Sequence, residues 1–275
     1  MVVLNVSIVI YKTNEEKIHR LVALLRQCKA VNDVFIIDNS PSPFQTPHNM
    51  DATYIFNNNN CGYGRAHNIA LRKTIENKIP YHLVLNPDVV FDPSIINELL
   101  EYMEGHTSIG SLMPKIYYPN GDLQYLCKLV PAPMDLFGRR FLPKWMMKKR
   151  KRRFELYDSG YSTIMNVPYL SGCFMLLRTS TLEDVGLFDE RFFLYPEDID
   201  LTRRIHKKYK TIFYPYVSVI HEYGRGSYKS MKLLYFHIVN MCRYFNKWGW
   251  FFDKERKEIN ARCIAENIST SDQRR

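Results

Sequence analysis

Carboxylates and aromatic rings are concentrated in one stretch of the chain, residues 188–200. Four aromatic residues accompany two pairs of neighbouring acids there: Phe188, Phe192, Phe193 and Tyr195 with Asp189-Glu190 and Glu197-Asp198. A carboxylate in an aromatic-lined cleft suits a sugar hydroxyl, from which it can remove a proton as a general base. Acids after Pro196 could also occupy the first turn of a helix, where the helix dipole favours negative charge. The aromatic residues favour the first interpretation.

Two further polar groups follow apolar runs and could hold a metal ion. Asn86-Pro87-Asp88 comes directly after His82–Leu85, and His221 follows Ile212–Ile220. The carboxylate of Asp88 is a candidate ligand for Mg²⁺ or Mn²⁺, which proteins hold with one or two carboxylates plus substrate phosphates. Turn chemistry also explains an Asn-Pro-Asp sequence, and a lone histidine at a strand end is usually a polar cap. From the residues alone, metal binding and a purely structural role both stay possible for each of these motifs.

The glycine-containing segment Cys61–Asn68 is a third candidate, for phosphate binding. It is not a dinucleotide-binding fingerprint, which places its glycines after the first strand and an acid about 20 residues later. Here Tyr11–Asn14 follows the first strand, and Asp38 precedes the glycines. Small residues at a helix start still let backbone N–H groups approach a phosphate, with Arg65 adding charge. A tight turn into a helix is the alternative.

Strand and helix patterns alternate over the first hundred residues and would bring these groups together. Strands are predicted at Val6–Ile10, Val34–Ile37 and His82–Leu85, and helices after Asn14, near Ala66–Ile75 and over Ser94–Met103. Asn14 and Asp92-Pro93 are predicted helix starts. Such alternation is typical of a mostly parallel sheet between helices, which binds ligands outside the carboxyl ends of its strands. One site could therefore contact both Asp38 and Asp88.

Beyond Gly110 the alternation weakens. The Pro- and Lys/Arg-rich stretch Pro131–Arg153 is predicted to be an irregular basic insertion, and a helix-like spacing runs from Tyr228 to Trp248. We expect a catalytic domain over residues 1–226 and a C-terminal helical extension over residues 227–275. The polar tail after about Ile268 is predicted to be disordered.

The bulk composition limits the function classes. The 275 residues carry a formal net charge of +10, which favours nucleotide phosphates, nucleic acid or an anionic membrane as partners. Six scattered cysteines form no close pair of the kind that builds zinc sites, and they favour a reducing compartment. The apolar N-terminus lacks the basic flank of a signal peptide, and no uncharged run reaches the roughly 18 residues that span a bilayer. The sequence predicts a cytoplasmic protein that is soluble or lies on a membrane surface.

Taken in order, the motifs form a specific set although each is weak alone. They are Asp38-Asn39, the Asn-x-Gly-x-Gly type stretch ending at Asn68, Leu85–Asp88, Gly172, Val185–Glu190, Glu197–Asp200 and His221. Over roughly residues 4–226 this set resembles family 2 glycosyltransferases, in particular their rhamnosyltransferase-like branch. The resemblance implies a GT-A fold, a Rossmann-like and mostly parallel sheet flanked by helices.

The resemblance also implies roles for the matched residues. Asp198 would be the catalytic base with Glu197 as its neighbour, and Asp88 would contact the metal with help from His221. The donor site would comprise Asp38, Asn39, Gly64, Arg65, Asn68, Asn86 and Gly172. Asn86 stands where many relatives have the first acid of an Asp-x-Asp motif, which leaves one fewer negative charge here.

The reaction implied by the resemblance is an inverting transfer that uses Mn²⁺ or Mg²⁺. A sugar, rhamnose or another hexose, would move from a nucleoside diphosphate donor to a glycan or lipid-linked acceptor in cell-surface polysaccharide synthesis. A nucleotidyltransferase is one alternative, but it would show a Gly-rich basic loop where Tyr11–Asn14 stands. A nucleic-acid-binding module is another, yet no such motif appears and the basic run Lys148–Arg153 is not interleaved with aromatics. Nucleic acid is therefore not an expected partner.

The C-terminal segment leaves two alternatives open. Lys229, Lys232, Arg243 and Lys247 interrupt an apolar pattern that ends in Trp248-Gly249-Trp250-Phe251-Phe252. Aromatics beside basic residues suit the headgroup region of an anionic membrane, to which the run Lys148–Arg153 would add attraction. An ordinary helix packed on the catalytic domain gives the same pattern. Peripheral binding at the inner face of the cell membrane follows from the lipid-linked acceptor that the resemblance implies.

Overall fold

Parallel strands with apolar side chains on both faces form one half of a central sheet. The computed structural model describes residues 2–45, 50–138, 142–222 and 231–272. The parallel strands are β1 (Leu4–Ile10), β2 (Val31–Asp38), β3 (Thr53–Phe56) and β4 (Tyr81–Leu85). Alternate residues of β2 face different layers: Ile36 joins the main core, whereas Phe35 and Ile37 pack with Ala66 and Ala70. Burial on both faces explains why these strands read as continuous apolar runs.

The other half of the sheet is mixed. Its strands are β5 (Val89–Val90), β6 (Ile109–Tyr117), β8 (Met165–Asn166), β10 (Phe174–Arg178) and β11 (Lys210–His221), while β7 (Cys127–Lys128) and β9 (Tyr169–Leu170) form a separate pair. Strand β10 runs antiparallel between β4 and β6, and β11 is parallel to β6. Within the described residues the nine-stranded sheet has the order β3-β2-β1-β4-β10-β6-β11-β5, with β8 beside β11. The predicted α/β fold is confirmed.

Eight α-helices accompany the sheet in the described part of the chain. They are α1 (Glu15–Leu25), α2 (Tyr63–Glu76), α3 (Ile95–Glu104), α4 (Lys144–Phe154), α5 (Thr179–Val185), α6 (Glu197–His206), α7 (Met231–Trp248) and α8 (Lys254–Asp272). Asn14 caps α1 as predicted, its side chain accepting a hydrogen bond from the Lys17 amide at 3.1 Å. Asp92 accepts a hydrogen bond from the Ser94 amide at 2.9 Å, as expected of a helix-capping residue, and helix α3 begins at Ile95, one residue later than predicted.

The prediction that residues 131–153 are irregular is wrong for the second half of this segment. A π-helix (Met134–Gly138) precedes the regular helix α4, which spans Lys144–Phe154. The ion pair between Arg150 and the buried Asp135, at 2.6 Å, ties the helix to that turn. Lysine and arginine are good helix formers, so the same run that looks like a solvated loop supports a helix once one side is anchored.

The C-terminal helices pack on the sheet-bearing part of the chain. The buried Arg203 of α6 pairs with Asp253 at 2.9 Å and stacks against Trp248 at 4.1 Å. The predicted domain boundary at residues 226–227 lies outside the described residues. Helix α8 continues to Asp272, beyond Ile268, where the sequence predicts disorder. None of the described helices is long and apolar enough to cross a membrane.

Candidate functional site

The first wall of the site is the carboxyl end of β2. Asp38 is fully buried, and its carboxylate accepts hydrogen bonds from the Tyr54 hydroxyl at 2.5 Å and the Ser40 amide at 2.8 Å. Burial and this contact raise the pKa of Tyr54. The neighbouring Asn39 accepts from Asn57 at 2.8 Å and donates to the Gly62 carbonyl at 3.2 Å. Asn39 thus fixes the loop that leads into α2, while Asp38 holds Tyr54 of β3.

That loop turns sharply at Gly62, in a position that only a glycine can occupy. Its φ is +90°, and an added Cβ would lie 2.2 Å from the Phe193 carbonyl oxygen. The next residue, Tyr63, donates its backbone N–H to the same oxygen at 3.0 Å. The segment after Phe188 is therefore fastened directly against the start of α2.

Tyr63 links three parts of the site and was missed by sequence reasoning. Its hydroxyl lies 2.9 Å from Asn86 Oδ1 and 2.8 Å from the Gly172 carbonyl oxygen. Asn86 in turn lies 3.4 Å, through its Nδ2, from His221 Nε2. A tyrosine at a helix start carries no motif signal, so only the folded structure shows this connection.

Asp88 and His221 meet at the ends of β4 and β11. His221 Nε2 lies 3.3 Å from Asp88 Oδ1. Burial alone would lower the pKa of His221, but hydrogen bonds to Asp88 and Cys173 raise it to about 10. Burial alone would raise the pKa of Asp88, yet the interaction with His221 keeps it below its usual value. Without a bound cation, the two residues form a charged pair.

Asp88 and His221 are suited to a divalent cation whose coordination is completed by substrate phosphates. The second nitrogen of His221, Nδ1, lies 3.1 Å from Gln124 Oε1, while Gln124 donates to the His221 carbonyl at 2.7 Å. A hydrogen bond at Nδ1 orients the ring and leaves Nε2 for a metal. Within the described residues no three His, Cys, Asp or Glu side chains converge. Asp88 and His221 could therefore supply two ligands to a hard cation that takes its remaining ligands from phosphate and water.

Glu197 and Asp198 begin α6 on the other side of Tyr63. Asp198 accepts hydrogen bonds from the Gly172 amide at 3.0 Å and the Ile199 amide at 2.8 Å. A Cβ on Gly172 would lie 3.3 Å from that of Asp198, so this glycine lets the backbone approach the carboxylate closely. Glu197 is buried and its Oε2 has no hydrogen-bond partner among the described residues.

The two neighbouring acids differ in their electrostatics. Burial, and then the charge of Asp198, raise the pKa of Glu197 well above its usual range. Burial also raises the pKa of Asp198, but the bond from the Gly172 amide and the charge of Lys128 oppose that rise. Charge-stabilising hydrogen bonds therefore favour Asp198 as the ionised member of the pair. Lys128, which lies over the Tyr169 ring at 5.0 Å, is a second residue that sequence reasoning missed.

The remaining predicted donor residues have other surroundings. Gly64 packs against Phe188, whose Cβ would lie 2.9 Å from an added Cβ. The buried Asn68 amide donates to the Phe188 carbonyl at 2.9 Å and accepts from the Phe188 N–H at 3.1 Å. Arg65 is exposed and pairs with Glu190 at 3.5 Å. The contacts of all three lie on the segment that begins at Phe188, and the donor contacts predicted for them remain predictions.

Comparison with known proteins places this architecture in a family. Residues 6–186 match the family model described as glycosyl transferase family 2. Over 146 residues the chain is 32% identical to an N-acetylglucosaminyl-diphospho-decaprenol L-rhamnosyltransferase of Mycobacterium tuberculosis, covering 50% of this chain and 46% of that protein. It is 28% identical over 191 residues to the rhamnosyltransferase WbbL of Escherichia coli, covering 66% and 69%. The chain thus spans about half the length of its mycobacterial relative.

A solved structure shares the fold. The crystal structure of GalNAc-T7 with UDP, GalNAc and Mn²⁺ superposes with a TM-score of 0.59 at 15% identity, covering 80% of this chain and 43% of that one. At this identity the likeness establishes the GT-A fold and nothing finer. The family model, by contrast, covers well over half of the chain. The chain therefore belongs to glycosyl transferase family 2.

Proposed function

We propose that this chain transfers a sugar from a nucleoside diphosphate donor to an acceptor hydroxyl, with inversion at the anomeric carbon. One observation carries the proposal: the side chain of Tyr63 connects the surroundings of Asp198 with those of Asp88 and His221. Tyr63 contacts Gly172, whose amide holds Asp198, and it also contacts Asn86 beside His221. A base and a diphosphate-binding group on opposite sides of one sugar are what a single displacement needs.

Asp38 and Asn39 would bind the nucleoside half of the donor. Their loop and the ends of β1, β2 and β4 lie at one edge of the sheet, where α/β folds bind nucleotides. Asn86 and Gly172 would contact the sugar side, with their positions set by Tyr63.

Asp88 and His221 would hold a divalent cation against the donor diphosphate. Bound there, Mn²⁺ or Mg²⁺ would neutralise negative charge on the leaving group. His221 would contribute Nε2, because Gln124 occupies the Nδ1 side. Asn86 adds no charge to this site, so Asp88 is the only carboxylate that the Asn86–Asp88 turn offers.

Asp198 would act on the acceptor. Its carboxylate takes the proton of the acceptor hydroxyl as that oxygen bonds to the anomeric carbon. The bond between this carbon and the diphosphate oxygen breaks, and its electron pair leaves with the nucleoside diphosphate. Burial, and then the charge of Asp198, raise the pKa of Glu197 well above its usual range, which favours Asp198 as the charged member of the pair.

The sugar and acceptor are proposed from the relatives. Two of them are rhamnosyltransferases, and one acts on a diphospho-decaprenol lipid. We therefore propose rhamnose or a related hexose as the transferred sugar and a lipid-linked glycan as the acceptor, in cell-surface polysaccharide synthesis.

A lipid-linked acceptor would place the chain on the cytoplasmic face of a membrane, and one surface suits that. Phe252 is 98% exposed and Phe251 71%, while Trp145 is 77% exposed at the start of the basic helix α4. Both groups adjoin the turn Met134–Gly138, since Trp250 stacks on Phe137 and Arg150 pairs with Asp135. Exposed aromatics beside a basic helix fit an anionic bilayer surface. Trp248 and Trp250, by contrast, pack on the protein.

The direct test is release of nucleoside diphosphate from a panel of nucleotide sugars in the presence of Mn²⁺. One donor of the panel should be consumed, and EDTA should stop the reaction. Asp88→Ala should abolish it while leaving the fold intact, because a partly exposed strand-end carboxylate contributes little to packing. Full activity of that variant in EDTA would remove the cation site from the proposal.

A further inference from the structure

A pocket, which we call the basic pocket, is lined in part by residues 190–193 of the segment that precedes Asp198. Its volume is about 760 Å³, and its charged lining consists of Arg65, Arg191, Arg243, Lys247 and Glu190. Four cations against one carboxylate give this lining a surplus of three positive charges. A pocket of this size can enclose a phosphate or diphosphate group together with part of a sugar.

Arg243 is the cation with the least compensation. Its guanidinium donates to the Arg191 carbonyl at 2.7 Å and to Asn240 Oδ1 at 3.1 Å, and both acceptors are neutral. Among the described residues no carboxylate forms an ion pair with it. An exposed guanidinium with spare donors is suited to phosphate oxygens, which it can bind in a bidentate manner.

The other cations are held in place by acids behind the pocket. Arg191 pairs with Asp189 at 2.6 Å, and Lys247 pairs with Asp189 at 2.8 Å and with the buried Asp200 at 2.6 Å. These hydrogen bonds keep the pKa of Asp189 well below its usual range, so it stays charged. The arrangement fixes the cations before any ligand arrives, which reduces the ordering cost of binding.

The basic pocket adjoins the catalytic centre through a short piece of backbone. Phe193 lines the pocket, and its carbonyl accepts the N–H of Tyr63, the residue that joins the two halves of the site. Asn240 of α7 donates to the Leu194 carbonyl at 2.9 Å, four residues before Asp198. A ligand in the pocket would thus lie against the segment that leads to Asp198.

The proposed site for the donor diphosphate, at Asp88 and His221, is different from the basic pocket. Tyr63 and Arg65 are two residues apart on α2, so their side chains point in different directions. Tyr63 points to Asn86 and Gly172, whereas Arg65 pairs with Glu190 in the basic pocket. The cations of the pocket are therefore separate from Asp88 and His221.

We propose that the basic pocket binds the phosphate groups of the acceptor, as a phosphate or diphosphate ester that carries the glycan to be extended. This inference rests on the proposed transfer reaction. It assigns acceptor recognition to Arg243 and Lys247 of α7, and it gives Asp189 and Asp200 the role of positioning residues for Lys247.

Binding of inorganic pyrophosphate to the full chain in EDTA, measured by titration calorimetry, tests the site without any turnover. Wild type should bind, and Arg243→Gln should weaken binding roughly tenfold or more, since a charge-assisted hydrogen bond is lost. Arg20→Gln, which removes an exposed guanidinium from α1, is the matched control and should bind as wild type does. Equal affinity of wild type and Arg243→Gln would overturn the site. Equal weakening by Arg20→Gln would also overturn it, because pyrophosphate would then be attracted only by the overall positive charge of the protein.

A second experiment tests whether the molecule bound in the basic pocket is the acceptor. The same glycan is offered on a diphosphate-linked lipid and on a phosphate-free alkyl chain. Arg243→Gln should raise KM for the first acceptor and not for the second. An unchanged KM for the diphosphate acceptor would overturn acceptor recognition even if pyrophosphate binds. If no nucleotide sugar is consumed at all, the proposed function fails, while pyrophosphate binding still reports on the pocket.

Discussion

Two adjacent carboxyl groups at the start of α6 are distinguished by their immediate surroundings. Asp198 receives two backbone N–H groups, whereas Glu197 Oε2 is buried without a hydrogen-bond partner in the described part of the chain. A carboxylate that accepts N–H bonds is stabilised in its charged form, whereas burial and the charge of Asp198 raise the pKa of Glu197 well above its usual range. The structure therefore supports the assignment of Asp198, and not Glu197, as the base.

Substitution of the two acids should separate their roles. Asp198→Asn cannot accept a proton, so the transfer rate should fall by about 10²–10⁴-fold, the usual contribution of a general base. Glu197→Gln resembles the neutral acid in shape and should retain most of the activity. The measurement is acceptor-dependent release of nucleoside diphosphate. An active Asp198→Asn together with an inactive Glu197→Gln would reverse the assignment.

The pH dependence of transfer should reveal the influence of Lys128 on Asp198. The base must be ionised, so kcat/KM rises with pH through the pKa of Asp198, which burial raises and the charge of Lys128 lowers. Lys128→Gln removes the lowering effect, and the acidic limb of the profile should move to higher pH. The plateau at high pH should change less. Lys73→Gln, which removes an exposed charge on α2, is the control, and an identical shift in both variants would contradict the interaction.

At the scale of helices and strands, the sequence correctly predicted the features that depend on interactions between residues close together in the chain. Helix α1 starts at the predicted cap, and Ile18, Leu21, Val22 and Leu25 are all buried as their spacing indicates. The strand ends that carry Asp38 and Asp88 were found for the same reason, since a buried strand must stop where polar residues begin. These features depend on neighbours within a few residues.

Features that depend on distant contacts were not predictable in the same way. Tyr63 and Gln124 become functional candidates only because folding brings them to Gly172 and His221, about 100 residues away in each case. Likewise, the contact of Arg65 with Glu190 is set by helix geometry and was not predicted, while its place beside the donor stays a prediction. Helix α4 formed from a run of charges because Asp135 anchors it.

The turn before α2 should be sensitive to a single methyl group. Gly62→Ala forces a Cβ to within 2.2 Å of the Phe193 carbonyl oxygen at a φ of +90°. With φ +90° and ψ 173°, the backbone lies in a region essentially limited to glycine, which costs roughly 1–3 kcal/mol for alanine, and the clash adds to it. Gly121→Ala is the matched control, because its φ is +86° with nothing within 4 Å of the new atom. Urea unfolding should show the larger loss for Gly62→Ala, and equal losses would mean that the contact with Phe193 is unimportant.

At the scale of the whole molecule, the exposed aromatics and the basic helix α4 both adjoin the segment Met134–Gly138, and we propose that they form one membrane-binding surface. Such a surface should bind vesicles that contain anionic lipid, and salt should weaken the binding because exposed charges are screened. The sequence attributed membrane contact to the whole C-terminal aromatic run, but Trp248 and Trp250 pack on the protein. The contact proposed here is narrower, with Phe251, Phe252 and Trp145 as its apolar part.

Vesicle sedimentation checks this surface. Phe252→Ala should reduce the bound fraction on anionic vesicles, and neutral vesicles should bind less of the wild type. Tyr216→Ala is the control, since Tyr216 is a comparably exposed aromatic, at 64%, on strand β11. Binding that ignores lipid charge and the Phe252 substitution would show that this surface does not contact the membrane.

The central claim is a single displacement in which Asp198 deprotonates the acceptor and no covalent sugar–enzyme bond forms. The anomeric configuration of the product tests it most directly, through the carbon–proton coupling at C1 of the newly transferred sugar. The claim predicts a configuration opposite to that of the donor. A product that keeps the donor configuration would contradict the single displacement and the role of Asp198 as base.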